Sequence, residues 1–359
     1  MKVLFAAGGT GGHIFPAIAV AKEIMKRHPE RCEVLFVGTA RGLETRIVPE
    51  NGFQLSLIHS SGLKNVGMGG KLKGFAVLPK SFLEARQIIR QFRPHVVVGA
   101  GGYVTGPVLM MAAIMGVPTL VMDSNALPGF TNRQLARFVD KAALTFDVSL
   151  PYFGKKGVVT GNPVRHEFFS IPPKERGEKF HVLIFGGSQG ARAVNNAMAE
   201  ALASLERFNG NLTITHQTGE ADFERIRDAY ADSKFANADV RPFISNMSGE
   251  FGKADLIVSR AGATTCAELS AAGKASIMIP LPTAADDHQR KNAEALEVGG
   301  AAKMILQRDL TGEKLAAEIS RLVESPYTIT EMEKAAKAMG RVDAAEKTAD
   351  IIEELKRNV

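Results

Sequence analysis

Cysteine is scarce in this 359-residue chain: Cys32 and Cys266 are the only two, far apart and without Cys-x-x-Cys spacing. That excludes a sequence-evident zinc site and a disulfide framework, and it makes a reducing cytosol the expected compartment. Long apolar runs are missing as well. The opening MKVLFAA stops at Ala7 against glycines, too short for the apolar part of a signal peptide, and reads as a first strand. The longest apolar stretch, Val108 to Met122, is broken by Gly116 and Pro118. It predicts a buried helix followed by a buried strand, not a membrane span. Acidic residues are sparse in the first half. Residues 1–160 hold 19 Lys and Arg against 9 Asp and Glu, a net of +10, whereas the remainder holds 25 against 29, a net of −4. Such one-sided charge points to an anionic partner such as nucleic acid, phospholipid or a phosphorylated substrate.

Several nucleotide signatures are also absent. No G-x-x-x-x-G-K-[ST] occurs, which disfavours a P-loop kinase or ATPase. Ile14 stands where G-x-G-x-x-G would place its last glycine after Gly9 and Gly11, and Gly38-Thr39 stand where a ribose-binding acid would end the second strand. Both absences count against NAD. No Asp-x-Asp stands at a strand end, and Asp286-Asp287-His288, being consecutive on a helix, do not converge on one ion. No metal and no cofactor are implied.

What is present is a sentence written twice. VLFAAGGTGGHIFPA opens the chain, and VLIFGGSQGARAVNN returns near residue 180, each an apolar run, a glycine cluster and a helix-like segment. Strand-like runs fall near 3–7, 34–37, 55–58, 96–98, 119–122 and 142–146, then near 181–185, 212–215, 239–242, 256–258 and 276–279, with amphipathic stretches between them. Alternation of this kind predicts βα units on parallel sheets covered on both faces. The length suits two domains, joined within VVTGNPVRHEFFSIPPKERGEK, where Gly161, Pro163 and Pro172-Pro173 mark turns and a linker. The expected fold class is α/β: two doubly wound, Rossmann-like parallel-sheet domains facing a cleft. A glycine turn feeding a helix offers free N–H groups and a positive dipole end to phosphate. One such turn per substrate accounts for the repetition.

The ordered set GGTGGHIFPA, GAGGYVTGP, TGNPVR, GGSQGAR, SRAGATTCAEL and DDHQRKNA covers essentially the whole chain. In it the sequence resembles a family of bacterial cell-wall glycosyltransferases of the two-domain B type. These add N-acetylglucosamine to undecaprenyl-pyrophosphoryl-N-acetylmuramoyl-pentapeptide in peptidoglycan synthesis, and so serve cell shape and division. The last three motifs alone would also suit a UDP-N-acetylglucosamine 2-epimerase or another nucleotide-sugar transferase of the same fold. The resemblance implies an acceptor- and membrane-binding domain over 1–160, with a C-terminal helix of about 342–359 crossing back to it. It implies a UDP-sugar domain over 161–341.

The site residues follow from the resemblance. Ser188 and Gln189 would hold the donor diphosphate, although serine is also a favoured helix cap. Ala263, Thr264 and Thr265 would line the donor, and Glu268 would accept from the ribose hydroxyls. Thr265-x-x-Glu268 reads equally as a capping box. Arg165 is implied as a donor contact near the hinge, Ile244 as a main-chain reader of uracil, and Gln289, with His288 second, as a contact to sugar hydroxyls. Thr10, Gly11 and Gly12 would floor the cleft beneath the donor, with Asn125 reaching it from the first domain. The family pattern there is Glu-Gln-Asn, whereas this chain has Asp123-Ser124-Asn125. Gly101, Gly102, Tyr103 and Thr105 would cradle the acceptor diphosphate. His13, at a helix start that favours a neutral imidazole, is the candidate base for an inverting transfer, or else a residue that orders its own loop or positions the acceptor diphosphate.

The acceptor is a lipid, and the segment KLKGFAVLPKSFLEARQIIR mixes cations with apolar residues. Lys71, Lys73 and Lys80 with Phe75, Leu78 and Phe82 form the candidate face for an anionic inner-membrane surface. Leu83 and Ile88, or their neighbours, are expected on the core side of that helix. The expected setting is peripheral, on the cytoplasmic face of the cell membrane, with UDP-N-acetylglucosamine and the lipid-linked muramoyl acceptor as partners and no nucleic acid.

Overall fold

A computed structural model describes residues 1–40, 42–60, 68–175, 177, 179–187, 189–284 and 287–357; over 68–78 only the backbone is described. The chain forms two compact units, one of Met1–Arg165 with Arg341–Val359, the other of His166–Gly340.

Unit 1 is built on seven parallel strands: β1 (Lys2–Ala7), β2 (Glu33–Gly38), β3 (Gln54–Leu57), β4 (Val96–Gly101), β5 (Thr119–Asp123), β6 (Lys141–Leu144) and β7 (Gly157–Val159). Their order is β3-β2-β1-β4-β5-β6-β7. The crossovers are α1 (Gly11–Arg27), α2 (Glu44–Glu50), α3 (Met68–Phe92), α4 (Thr105–Ile114) and α5 (Phe130–Leu135). Val3 to Ala7 are all 0 % exposed, because successive side chains of a strand covered on both faces enter two different cores. Val3 and Phe5 pack with Ile14, Ile18 and Ile24 of α1, and Leu4 and Ala6 with Ala85 and Ile89 of α3 and Leu109 of α4. The stretch Val108–Met122 divides into α4 and β5 as its Gly-Pro break predicts. The last helix, α14 (Ala344–Arg357), lies on α1 within this unit. Ile351, Ile352 and Leu355 join the core, and Arg27 binds Asp350 at 2.7 Å and Glu353 at 3.5 Å.

Unit 2 repeats the plan with β8 (Phe180–Phe185), β9 (Leu212–Gln217), β10 (Asp239–Arg241), β11 (Leu256–Ser259), β12 (Ser276–Met278) and β13 (Ala302–Met304), ordered β10-β9-β8-β11-β12-β13. Its helices are α6 (His166–Phe169), α7 (Arg192–Leu205), α8 (Phe223–Ala231), α9 (Met247–Lys253), α10 (Ala263–Ala272), α11 (His288–Val298), α12 (Gly312–Val323) and α13 (Pro326–Met339). Counted within each unit, the sheets run 3-2-1-4-5-6-7 and 3-2-1-4-5-6, so strand order reverses between β1 and β4 and again between β8 and β11. Ligands of such sheets bind beyond the strand ends at that reversal.

Two strands were not expected from sequence, β7 and β13, each three residues at a sheet edge. GVV begins on a glycine after two lysines, and AKM has no β-branched residue, so neither carries a strand pattern of its own. One facing was also misjudged. Leu83 is 65 % exposed; α3 turns Ser81, Ala85 and Ile89 inward instead, with Ile88 partly buried. No helix among the described residues is long and apolar enough to cross a membrane.

Candidate active site

In unit 2 the repeated glycine cluster is the turn from β8 into α7. Gly190 has φ +74°, and a Cβ there would collide with the carbonyl of Thr218 at the end of β9. Only glycine permits this close approach. The turn is tied down by Gln217, 1 % exposed, whose Nε2 donates to the Gly187 carbonyl at 2.9 Å and whose Oε1 accepts from the Ile244 N–H at 2.8 Å. A second buried layer lies alongside. His216 meets Tyr230 Oη through Nδ1 and Asn195 Oδ1 through Nε2, both at 3.1 Å, while Asn195 Nδ2 donates to Thr218 O and Asp222. Burial lowers the His216 pKa to about 3, so the ring is a neutral strut. Burial pushes Asp222 up, but hydrogen bonds from Asn195 and Arg225 hold it below the usual carboxylate range.

On the other side of the strand reversal, β11 ends at Ser259 and Arg260 follows. The Arg260 guanidinium donates to the carbonyls of Ile279 and Pro280 at 3.1 and 3.3 Å and to Gln307 Oε1 at 2.7 Å. Burial holds its pKa below the normal arginine range. Gly262 then begins α10 without a side-chain cap, and Ala191 begins α7 in the same way. Both helix starts and Arg260 line one cavity of about 340 Å³, together with Gly186, Gly187, Thr265 and Gln289. Two positive dipole ends at helix starts without a side-chain cap, with a partly desolvated guanidinium beside them, give this cavity the electrostatics that favour an anionic group.

Of the donor residues named from sequence, Thr265 and Gln289 line this cavity, and Gln289 Oε1 accepts from the Leu281 N–H at 3.0 Å. Gln189 sits in the glycine turn; Ser188 lies outside the described residues. Ala263, Thr264 and Thr265 form the first turn of α10, and Glu268 follows one turn on, 8 % exposed. The capping-box alternative fails, since the helix starts at Ala263 and Thr265 lies inside it. His288 begins α11 after Asp287, which caps it by position (φ 56°) without a side-chain bond. Ile244 is 3 % exposed, and its main-chain N–H is taken by Gln217 Oε1. Arg260 and Gln217 were not singled out from sequence. Arg260 stands inside a recognised motif, but its burial is a tertiary fact, and Gln217 reads as an ordinary strand residue.

In unit 1 two glycine turns meet back to back. Gly101 ends β4 and Gly102 follows it, at φ +117° and +82°; a Cβ on the first would strike the His13 ring and one on the second the Gly8 carbonyl. Thr10 caps α1 by position, exposed and without a side-chain bond, and Gly11 and Gly12 form its first turn. His13 Nδ1 lies 3.2 Å from the Gly8 carbonyl. Tyr103 is exposed, but Thr105 is 0 % exposed, with Oγ1 donating to Ala6 O and Gly101 O and accepting from the Gly101 N–H. Its side chain therefore builds the turn from within.

The acid missing from the end of β2 is supplied from α2. Glu44, 0 % exposed, accepts from the Gly9 N–H at 2.9 Å, the Thr39 N–H at 2.8 Å and Thr39 Oγ1 at 2.9 Å. Asp123 pins the Asn125 loop, accepting from Asn125 N, Gly129 N and Asn132 Nδ2 at 2.8–2.9 Å. Burial keeps its pKa above the usual range, with the nearby His13 acting the other way. Arg165 falls in unit 1, its guanidinium 5.0 Å from the Phe15 ring centroid. On α3, Lys80 is exposed and Phe82 half-buried beside the exposed Leu83; the side chains of Lys71, Lys73, Phe75 and Leu78 lie outside the described residues.

Comparison with known proteins agrees with this two-unit plan. The model of the glycosyltransferase family 28 N-terminal domain matches residues 3–144, and that of its C-terminal domain residues 181–354. The chain is 48 % identical over 350 residues to the UDP-N-acetylglucosamine–N-acetylmuramyl-(pentapeptide) pyrophosphoryl-undecaprenol N-acetylglucosamine transferase of Citrifermentans bemidjiense, covering 96 % of this chain and 97 % of that one. The enzyme of the same name from Myxococcus xanthus is 48 % identical over 358 residues, 99 % of this chain and 93 % of that one. The crystal structure of Acinetobacter baumannii MurG superposes with a TM-score of 0.78 at 34 % identity, over 98 % of this chain and 99 % of that chain. A UDP-GlcNAc 2-epimerase from Neisseria meningitidis shares the fold, with a TM-score of 0.72 at 13 % identity over 99 % of this chain and 100 % of that one.

Proposed function

Since the chain belongs to glycosyltransferase family 28, we propose that it transfers N-acetylglucosamine from UDP-N-acetylglucosamine to the C4 hydroxyl of undecaprenyl-pyrophosphoryl-N-acetylmuramoyl-pentapeptide, with inversion. The product is the lipid-linked disaccharide precursor of peptidoglycan. The observation that carries the reading is full-length identity near one half to transferases of that name. The epimerase alternative rests on likeness of fold alone.

Unit 2 takes the donor in this reading. The diphosphate lies against the starts of α7 and α10 with Arg260 facing it, Glu268 receives the ribose hydroxyls, Ile244 meets uracil through its carbonyl, and Gln289 with His288 meets the sugar. Unit 1 takes the acceptor pyrophosphate at Gly101, Gly102 and Tyr103. His13 is the base. As the acceptor oxygen bonds to the anomeric carbon, its proton passes to His13 Nε2, and the bond from that carbon to the UDP oxygen breaks with its electron pair going to the diphosphate. The departing charge is met by N–H groups already oriented toward it and by Arg260, so little reorganisation is needed. The lipid end of the acceptor stays in the bilayer, and Lys80, Phe82 and Leu83 with the preceding basic turns of α3 meet its surface.

Incubation with UDP-N-acetylglucosamine and the lipid-linked muramoyl acceptor tests the reading. UDP and the disaccharide lipid are expected in equal amounts, and their absence contradicts it. A His13→Ala variant is expected to lose turnover far more than donor binding; full turnover removes His13 from the mechanism. Lys80→Glu with Lys71→Glu and Lys73→Glu should reduce binding to anionic vesicles, and undiminished binding rejects that face.

A further inference from the structure

The Gly8–Gly9 peptide group is held from both ends. Its carbonyl faces His13 Nδ1 at 3.2 Å, and its N–H donates to Glu44 Oε2 at 2.9 Å. A carbonyl cannot donate, so Nδ1 carries the hydrogen in this contact, and in the neutral ring Nε2 is then the accepting nitrogen. Glu44 is a built-in partner. Its side chain is 0 % exposed, three donors point at the carboxylate, and Gly8, Gly38 and Gly42 each stand too close to it to carry a Cβ.

From this we propose that Glu44 is a positioning residue that sets the tautomer and basicity of His13 through the Gly8–Gly9 peptide. The inference rests on the reading of His13 as the base. A carboxylate at the N–H end of a peptide polarises it, so the carbonyl becomes a stronger acceptor for Nδ1–H. That fixes Nε2 as the proton-accepting nitrogen and stabilises the imidazolium once the acceptor proton has arrived there. The imidazolium then returns its proton to solvent after UDP leaves. Among the described residues, the charged groups facing this arrangement are Glu44 from α2 and Asp123 from the end of β5; Arg165 stands over Phe15, two residues further along α1. The same contact closes the first glycine turn to phosphate, because the Gly9 N–H that would receive an anion already serves a carboxylate. Among the described residues no carboxylate accepts from the N–H groups of the second turn, so that turn stays open to an anion.

The test is nitrogen-15 NMR of the full chain, with the His13 ring assigned by its loss in His13→Gln. In wild type the neutral ring is expected as the Nδ1–H tautomer. In Glu44→Gln, which keeps the shape and removes the charge, the His13 pKa is expected to fall by roughly 0.5–1 unit. The acid limb of kcat should move down with it, and KM for UDP-N-acetylglucosamine should stay within about twofold. Glu44→Asp, which keeps the charge, should recover part of the pKa. A wild-type ring in the Nε2–H tautomer overturns the proposal even if Glu44→Gln fails to fold, and so does an unshifted His13 pKa in a folded Glu44→Gln. Failure of the base reading appears separately, as full turnover in His13→Ala.

Discussion

Gln217 joins the two loops that the donor reading uses, so Gln217→Leu is the sharpest probe of unit 2. The substitution deletes a bond to the Gly187 carbonyl at 2.9 Å and one from the Ile244 N–H at 2.8 Å, in a side chain only 1 % exposed. A buried polar group left without a partner costs about 1–3 kcal/mol, so two give about 2–6 kcal/mol if neither loop relaxes to water. Relaxation lowers that cost but moves the glycine turn and the base-reading loop. Weaker UDP binding should then appear in place of the lost stability, at tenfold for each 1.4 kcal/mol or so. The assay is urea unfolding followed by circular dichroism, paired with calorimetric titration of UDP. Either the unfolding free energy falls by at least about 2 kcal/mol or the UDP Kd rises about tenfold or more. A Gln217→Leu protein with wild-type stability and wild-type UDP affinity would contradict this role for Gln217. Gln217→Glu keeps the acceptor for Ile244 but turns an oxygen toward the Gly187 carbonyl, so it should resemble Gln217→Leu in binding.

Two further outcomes follow from the same unit. His216 is held neutral with a pKa lowered to about 3 by burial, against an ordinary 6.5, so the unfolded chain binds a proton that the folded one refuses. The contribution is fully present above pH 6.5 and is lost as pH falls toward 3, about 2 kcal/mol by pH 5. Comparing urea unfolding at pH 7.5 and pH 5, His216→Gln should show that much less pH sensitivity than wild type; equal sensitivity contradicts the assignment. Arg260→Ala should lower kcat by about 100-fold or more while leaving the fold intact by circular dichroism, and Arg260→Lys should restore little, because one ammonium cannot keep the guanidinium's bonds to Ile279, Pro280 and Gln307 and still face the ligand. An Arg260→Ala enzyme within threefold of wild type would place the diphosphate elsewhere.

Much of the architecture is legible because it is local. Val3–Ala7 and Val96–Val98 are apolar runs ending in glycine, and each had to be a strand buried on both faces. The edges β7 and β13 escape because a strand paired on one side needs little hydrophobic pattern. The glycine turns announce themselves, but what occupies them does not. Glu44 lies six residues past the strand end where an acid is sought, and only folding brings its carboxylate back to Gly9 and Thr39. Thr105 reads as part of the acceptor turn, and only folding shows its hydroxyl bonded to the main chain of Ala6 and Gly101. Leu83 reads as core because α3 is amphipathic, yet the register turning Ser81, Ala85 and Ile89 inward leaves it in solvent. In each case the residue type is visible in sequence and its partner is not.

The division of labour between the two glycine turns is decided most directly by a crystal structure with UDP-N-acetylglucosamine bound. The diphosphate is expected in unit 2, between the starts of α7 and α10 and within hydrogen-bond reach of Arg260, with the Gly9 N–H still on Glu44. A diphosphate seated on Gly8–Gly12 of unit 1, displacing that carboxylate, would contradict the account.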